Sequence, residues 1–205
     1  VTTGGSSGLP LGFYRDKNLN NYEIAFLNNG VQHFNSNIFF NSPKIILRGS
    51  PIDNKRKWVF RPHEGLFLSS YDLTLENAME FIEVIRFYNL KILHAYPSAL
   101  YILAKLLKDY PSLCKGLFDF IWLGSEPLYM YQKELIEALF KAPVFLHYGQ
   151  SEQVIYGSPC NFSSNLHIYP QYGYTEIIGN NGNEVDQNQI GELVGTSFLN
   201  YLTPF

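Results

Sequence analysis

The sequence predicts an α/β fold in which a parallel sheet with crossover helices is joined to a smaller β-rich lobe. Three observations predict it. Between residues 44 and 147, short apolar runs alternate with helical stretches, the pattern of parallel strands connected by crossover helices. After Tyr148 the pattern changes to short strand-like runs separated by Gly and Asn turns, as in antiparallel sheet. Hydrophobic residues make up 46% of the 205-residue chain and charged residues only 16%, enough apolar surface for a sizeable core.

The elements follow in order. Residues 1–8 form a Gly/Ser/Thr-rich loop, and residues 11–15 read as a short strand. Residues 17–29 have helical character, with Tyr22, Ala25 and Phe26 on one side and Gly30 as the stop. Residues 44–47 are an apolar run ended by Arg48-Gly49-Ser50-Pro51, a strand followed by a turn. Residues 54–57 form a polar loop tip between this run and the short strands 58–60 and 66–68. From Thr74 to Tyr88, Leu75, Met79, Ile82 and Ile85 recur at helical spacing, and Thr74 or Asp72 is placed to cap that helix. Residues 91–94 are a strand. Pro97 occupies the first turn of the next helix, whose buried stripe is Leu100, Leu103, Ala104 and Leu107. Residues 119–123 are a strand, 127–141 a helix beginning at Pro127, and 144–147 a strand. Short strands at 167–169, 174–178 and 192–196 form a meander or small barrel-like lobe. A division is expected near residues 157–164, separating an α/β part, residues 1–157, from a β-rich part, residues 158–205.

Composition bounds the function. A net charge of −3 leaves no basic footprint for nucleic acid. The two cysteines, Cys114 and Cys160, form no disulfide framework and fit a reducing, cytoplasmic setting. The longest apolar runs are too short to span a bilayer, and the first residues do not read as a signal peptide. The sequon at Asn161 carries little weight without one. Both ends read as interior to a longer chain.

Three turns hold the residue types that nucleotide chemistry needs. In the run Thr2-Thr3-Gly4-Gly5-Ser6-Ser7-Gly8-Leu9-Pro10, small residues expose successive backbone N–H groups, which suits phosphate oxygens; a flexible surface loop has the same composition. Gly4 to Gly8 also matches the G-x-S-x-G elbow of serine hydrolases, with Ser6 as nucleophile, and that motif needs a strand just before it. Leu123-Gly124-Ser125-Glu126-Pro127 lies at the end of a strand, where open α/β sheets bind ligands; an ordinary strand-to-helix turn reads the same way. His147-Tyr148-Gly149-Gln150-Ser151-Glu152 also follows a strand. It offers an aromatic face, a hydroxyl and a carboxylate, the parts that stack a base, bond a phosphate and hold Mg²⁺. Cys160 and His167 alone are thin evidence for zinc. His33 and His63 read as surface or loop residues. Tyr169, Tyr172 and Tyr174 read as packing aromatics.

In this order and spacing, the segments resemble the adenylate-forming ligase superfamily. The Thr3–Pro10 run resembles its phosphate loop, residues 124–127 its adenine-contacting turn, and residues 148–152 its Tyr-Gly-x-Ser/Thr-Glu motif. Residues 191–196 resemble the Gly-Glu-Leu strand before its ribose-binding aspartate. His94-Ala95-Tyr96-Pro97-Ser98-Ala99-Leu100 is similar to the Tyr-Pro-Ser-x-Leu segment of the phenylacetate–CoA ligase and CapK capsular polysaccharide branch. The resemblance implies ATP-dependent adenylation of a carboxylic acid, then acyl transfer to a thiol such as coenzyme A or to a sugar amine or hydroxyl. It implies that Thr3, Gly4, Gly5, Ser6, Ser7 and Gly8 hold the ATP phosphates. Gly124, Ser125, Glu126 and Pro127 would contact adenine, with Tyr148 stacking on it at the Gly149 turn. Ser151 would donate to the α-phosphate and Glu152 would bind Mg²⁺. His94, Tyr96 and Pro97 would line the acid pocket. Departures are a Gly at position 4 and no Lys after Pro10. The C-terminal lid domain of the family has no counterpart in these residues, so the chain alone is expected to be inactive. A serine hydrolase and a non-catalytic nucleotide-binding scaffold are the alternatives.

Overall fold

The computed structural model describes residues 1–3, 8–34, 38–49, 52 and 56–203. Along the chain they form α1 (Leu19–Phe34), β1 (Lys44–Leu47), β2 (Trp58–Arg61), β3 (Gly65–Leu68), α2 (Leu75–Tyr88), β4 (Ile92–Ala95), α3 (Pro97–Leu107), the single-turn α4 (Pro111–Cys114), β5 (Phe120–Leu123), α5 (Met130–Phe140), β6 (Val144–Leu146), β7 (Gly157–Cys160), β8 (Ser163–Ile168), β9 (Gly173–Ile178) and β10 (Glu192–Ser197). They group into two units, one of Asn41–Leu146 and the other of Val1–Phe40 with His147–Phe205. The grouping does not follow the division expected near residues 157–164, because α1 packs on β7.

In the first unit the sheet order is β2-β3-β1-β4-β5-β6. β3, β1, β4, β5 and β6 are parallel neighbours, and only β2 runs antiparallel, to β3. The turn between β2 and β3 is too short for a crossover, so these two strands form a hairpin at the edge. β3 and β5 are buried at every position, the continuous apolar run that a parallel strand covered on both faces requires.

Leu47, Leu66, Leu93, Ile121 and Val144 share one core with Phe81 and Ile82 of α2, Leu100 and Leu103 of α3, and Ile136 of α5. The opposite face carries an aromatic row. His94, Trp122 and Phe145 are register partners on β4, β5 and β6, with ring centroids 5.5 and 5.7 Å apart.

Helix ends follow local chemistry. The Thr74 hydroxyl accepts from Asn77 N at 3.2 Å, as expected of an N-cap. Asn89, left-handed at φ 51°, ends α2, as expected at a helix C-terminus. The buried stripe of α2 is Ala78, Phe81, Ile82 and Ile85; the expected stripe member Leu75 is exposed. The stripe of α3 is as expected. α5 starts at Met130 rather than Pro127. Ser125 is left-handed at φ 69°, which delays helix entry, and the Gln132 side chain accepts from Tyr129 N at 3.1 Å.

In the second unit, α1 runs through Gly30 to Phe34 instead of stopping there. Gly30 is buried, and an added Cβ would collide with the Tyr156 hydroxyl and Ser158 Oγ. It is a close-packing glycine inside a helix, not a terminator. The buried face of α1 is Leu19, Leu27, Gly30 and Val31, while Tyr22 is exposed. Phe26 meets the Tyr172 ring edge-on at 4.9 Å. β7 pairs with β8, and β9 with β10, all antiparallel. The β-rich part is thus two separate two-stranded ladders rather than a barrel. Residues 11–15 form no strand. Only Gly12 bridges, to Thr2.

Candidate functional site

Candidate residues fall in both units. In the Asn41–Leu146 unit the chain builds β2 and β3 on one side of β1, then β4 on the other. The order reverses between β1 and β4, and open α/β sheets bind ligands at the carboxyl ends of strands beside such a reversal. Arg48, the first residue past β1, stands there. Its Nη1 lies 2.9 Å from His94 Nε2, and its Nη2 donates to Ser125 Oγ at 2.7 Å. Its guanidinium carbon lies 4.9 Å from the centroid of the Tyr96 ring, within cation–π range. A guanidinium only donates. His94 Nε2 is therefore the acceptor, which makes the ring neutral with its proton on Nδ1.

The exits of β1, β4 and β5 are tied together in this way. A second tie joins β4 and β5: Glu126 Oε2 accepts from Ser98 N at 3.0 Å. Ser98 lies in the first turn of α3, whose N-cap, Tyr96, makes no side-chain cap bond. The Glu126 carboxylate fills that place and meets the positive end of the helix dipole. Pro97 is buried at the start of α3, Gly124 is buried, and Ser125 is exposed.

In the second unit the N-terminal loop has a paired stem. Thr3 N donates to Leu11 O and Phe13 N to Val1 O, both at 3.0 Å. The Thr3 hydroxyl accepts from Leu11 N at 2.9 Å. Gly8 is exposed. Gly4, Gly5, Ser6 and Ser7 lie outside the described residues. The stem bears on the elbow reading of Ser6, which requires a strand, a sharp turn and then a helix. Here residues 11–13 return antiparallel to residues 1–3, and the next helix begins only at Leu19.

Tyr148 bridges Gly157, exchanging backbone bonds of 2.8 and 3.1 Å. The turn that follows is closed by Gln153 N donating to Gln150 O and by Ile155 N donating to Gln150 Oε1. Gln153 is left-handed at φ 57°. Tyr148 and Glu152 are half-buried, and Gly149 and Ser151 exposed. Behind the turn, Glu23 of α1 accepts a hydrogen bond from the Tyr172 hydroxyl and reaches within 4.0 Å of the Cβ position of Gly149. Burial pushes the Glu23 carboxyl above its usual range, against the lowering effect of Tyr172 and Arg15. Burial and then the adjacent Glu23 push the Tyr172 phenol up.

Among the described residues, no group of three or more His, Cys, Asp or Glu side chains could hold a metal ion. A divalent cation held by one carboxylate and the phosphates of a ligand needs no such group; Glu152 is a half-buried carboxylate. Cys160 and His167 sit on the paired strands β7 and β8, opposite Ser163 and Ser158. Two cavities lie elsewhere. One of about 590 Å³ runs along β2, and one of about 530 Å³ lies between α1 and Tyr169; neither holds a candidate residue.

Sequence reasoning missed two of these residues. Arg48 reads as a turn residue, and its only signal is a cation directly after a buried strand. Glu23 reads as one more polar helical residue. Its signal is a carboxylate four residues before the buried Leu27 and four after the buried Leu19.

No protein-family model and no curated protein matches the chain. Solved structures do match. One is a 2-hydroxyisobutyryl-CoA ligase in complex with 2-HIB-AMP and CoA in the thioesterification state, with 13% identity over 99% of this chain and 44% of that one, at a TM-score of 0.69. A malonyl-CoA ligase with methylmalonyl-CoA and AMP bound matches with 16% identity over 95% of this chain and 42% of that one, at 0.59. A Brucella canis acyl-CoA synthetase matches with 19% identity over 94% of this chain and 35% of that one, at 0.61. At these identities the likeness is one of fold: the chain has the mixed α/β fold seen in part of these structures. It spans less than half the length of each. No described helix is long and apolar enough to cross a membrane.

Proposed function

We propose that the chain is the nucleotide-binding part of an ATP-dependent ligase that activates a carboxylic acid as its acyl-adenylate. The observation that carries this reading is the tie among three strand exits at the topological reversal, where Arg48 joins His94 and Ser125. It is supported by the shared fold of solved ligases bound to acyl-AMP, AMP or CoA, and by the motifs at residues 124–127 and 148–152.

In this reading a carboxylate oxygen attacks the α-phosphorus of ATP, the bond to the bridging oxygen breaks, and pyrophosphate leaves. Two anions must approach, so fixed donors and positioning supply most of the rate. Thr3 and residues 4–8 hold the phosphates, residues 124–127 contact adenine through their backbone, and Tyr148 stacks on the base beside Gly149. Stacking of this kind contributes about 1–3 kcal/mol per base. Ser151 donates to the α-phosphate. Glu152 would hold Mg²⁺, which would neutralise phosphate charge. His94, Tyr96 and Pro97 line the acid pocket. Within this class, residues 94–100 favour the phenylacetate–CoA ligase and CapK branch, with coenzyme A or a sugar amine or hydroxyl as acceptor.

The test is exchange of labelled pyrophosphate into ATP by the full-length protein, measured against a panel of carboxylic acids. Acid-dependent exchange is the expected result. Silence across the panel removes the reading.

A further inference from the structure

Arg48 is a half-buried cation at the place where the fold binds ligands, and no carboxylate among the described residues pairs with it. Its bond to Ser125 lies at an exposed place, where a guanidinium without an ion pair is open to an incoming anion. The side chains that touch it are neutral. His94 Nε2 and Ser125 Oγ both accept from it, and Tyr96 offers its ring face. The nearby carboxylate, Glu126, bonds the start of α3 instead. Because Ser125 Oγ accepts, its O–H remains to donate, and the guanidinium keeps further N–H groups after its two bonds. Among the described residues, the cluster therefore presents donors around a positive charge and no acceptor of matching charge.

We propose that Arg48 receives a carboxylate of the acid substrate, with Ser125 as a second donor and the Tyr96 ring holding the guanidinium plane. Planar guanidinium pairs with planar carboxylate through parallel N–H bonds, which gives the pocket both charge selection and orientation. The two ties already made by Arg48 fix its fork before the ligand arrives, so little side-chain freedom is lost on binding. This assignment rests on the acid-activating reading and adds the group that recognises the acid.

The experiment is pyrophosphate exchange by the full-length protein carrying Arg48→Met or Arg48→Lys, with KM determined separately for the acid and for ATP. The expected result for Arg48→Met is a rise in acid KM of about 10-fold or more, the loss of one charged hydrogen-bonding partner. The ATP KM should change by less than about twofold, as for a group that touches one substrate only. Arg48→Lys, which keeps the charge without the fork, should fall between the two and serves as the readout if Arg48→Met does not fold. An unchanged acid KM in both variants overturns the assignment while leaving the ligase reading intact. A rise in ATP KM with acid KM unchanged also overturns it, because the cation then serves a phosphate. Absence of exchange in the unmodified protein removes the ligase reading and this assignment with it.

Discussion

The Nη2 group of Arg48 donates to Ser125 Oγ at 2.7 Å, joining the exits of β1 and β5 across the intervening exit of β4. Ser125 is held at φ 69°, a left-handed conformation that costs a non-glycine residue about 1–2 kcal/mol. Ser125→Gly and Ser125→Ala both remove the hydroxyl acceptor, but only glycine relieves the backbone. Ser125→Ala should be less stable than Ser125→Gly by about 1 kcal/mol. Urea unfolding of the two variants measures the difference, and equal midpoints would rule out strain at this turn.

Gly30→Ala tests the packing of α1 on β7. Alanine favours an isolated helix over glycine by about 1 kcal/mol. Here its methyl group would meet Tyr156 and Ser158, and overpacking costs about 1–3 kcal/mol. The variant should melt below the unmodified protein. A higher melting temperature would show that β7 yields freely.

Lys44 opens β1 and is buried, and burial lowers its pKa from 10.5 to about 8. Between these values the unfolded chain binds more protons than the folded one, so stability rises with pH across that window. Below about 8 the lysine is charged in both states, and the cost of burying it is constant. The stability of the unmodified protein relative to Lys44→Met should therefore climb from pH 8 to 10.5. Denaturation curves at several pH values check it, and a flat difference would count against a buried, perturbed amine.

Glu152→Gln separates metal holding from base recognition. Under the proposed function it should lower the exchange rate by at least about 100-fold, since metal charge stabilisation is worth several kcal/mol. Nucleotide affinity should weaken by less than about 10-fold, or about 1.4 kcal/mol. Calorimetry with ATP beside the exchange assay decides it. Equal losses in both would place Glu152 in binding rather than catalysis.

Much of the first unit is legible residue by residue. Ile45 and Leu47, the fully apolar run 120–123, and the stripe from Leu100 to Leu107 announce their elements because burial demands apolar side chains at fixed periods. Thr74 and Pro97 mark their helix starts through local backbone chemistry. The same local logic misread Gly30, since a glycine that ends a helix and one that lets a neighbour approach are identical in sequence. It also placed the start of α5 at Pro127, because nothing near Ser125 shows that a distant arginine holds its hydroxyl.

By itself, then, the sequence determined the strands and most helix limits of the parallel sheet, along with the motif turns that follow its strands. These depend on side-chain hydrophobicity, capping and turn chemistry within a few residues. Only the tertiary structure decided the strand order, with its reversal between β1 and β4, and the meeting of Arg48 with His94 and Ser125. Those arise from pairing between segments 46 and 77 residues apart, and no local periodicity encodes which distant partner a strand or a cation will find.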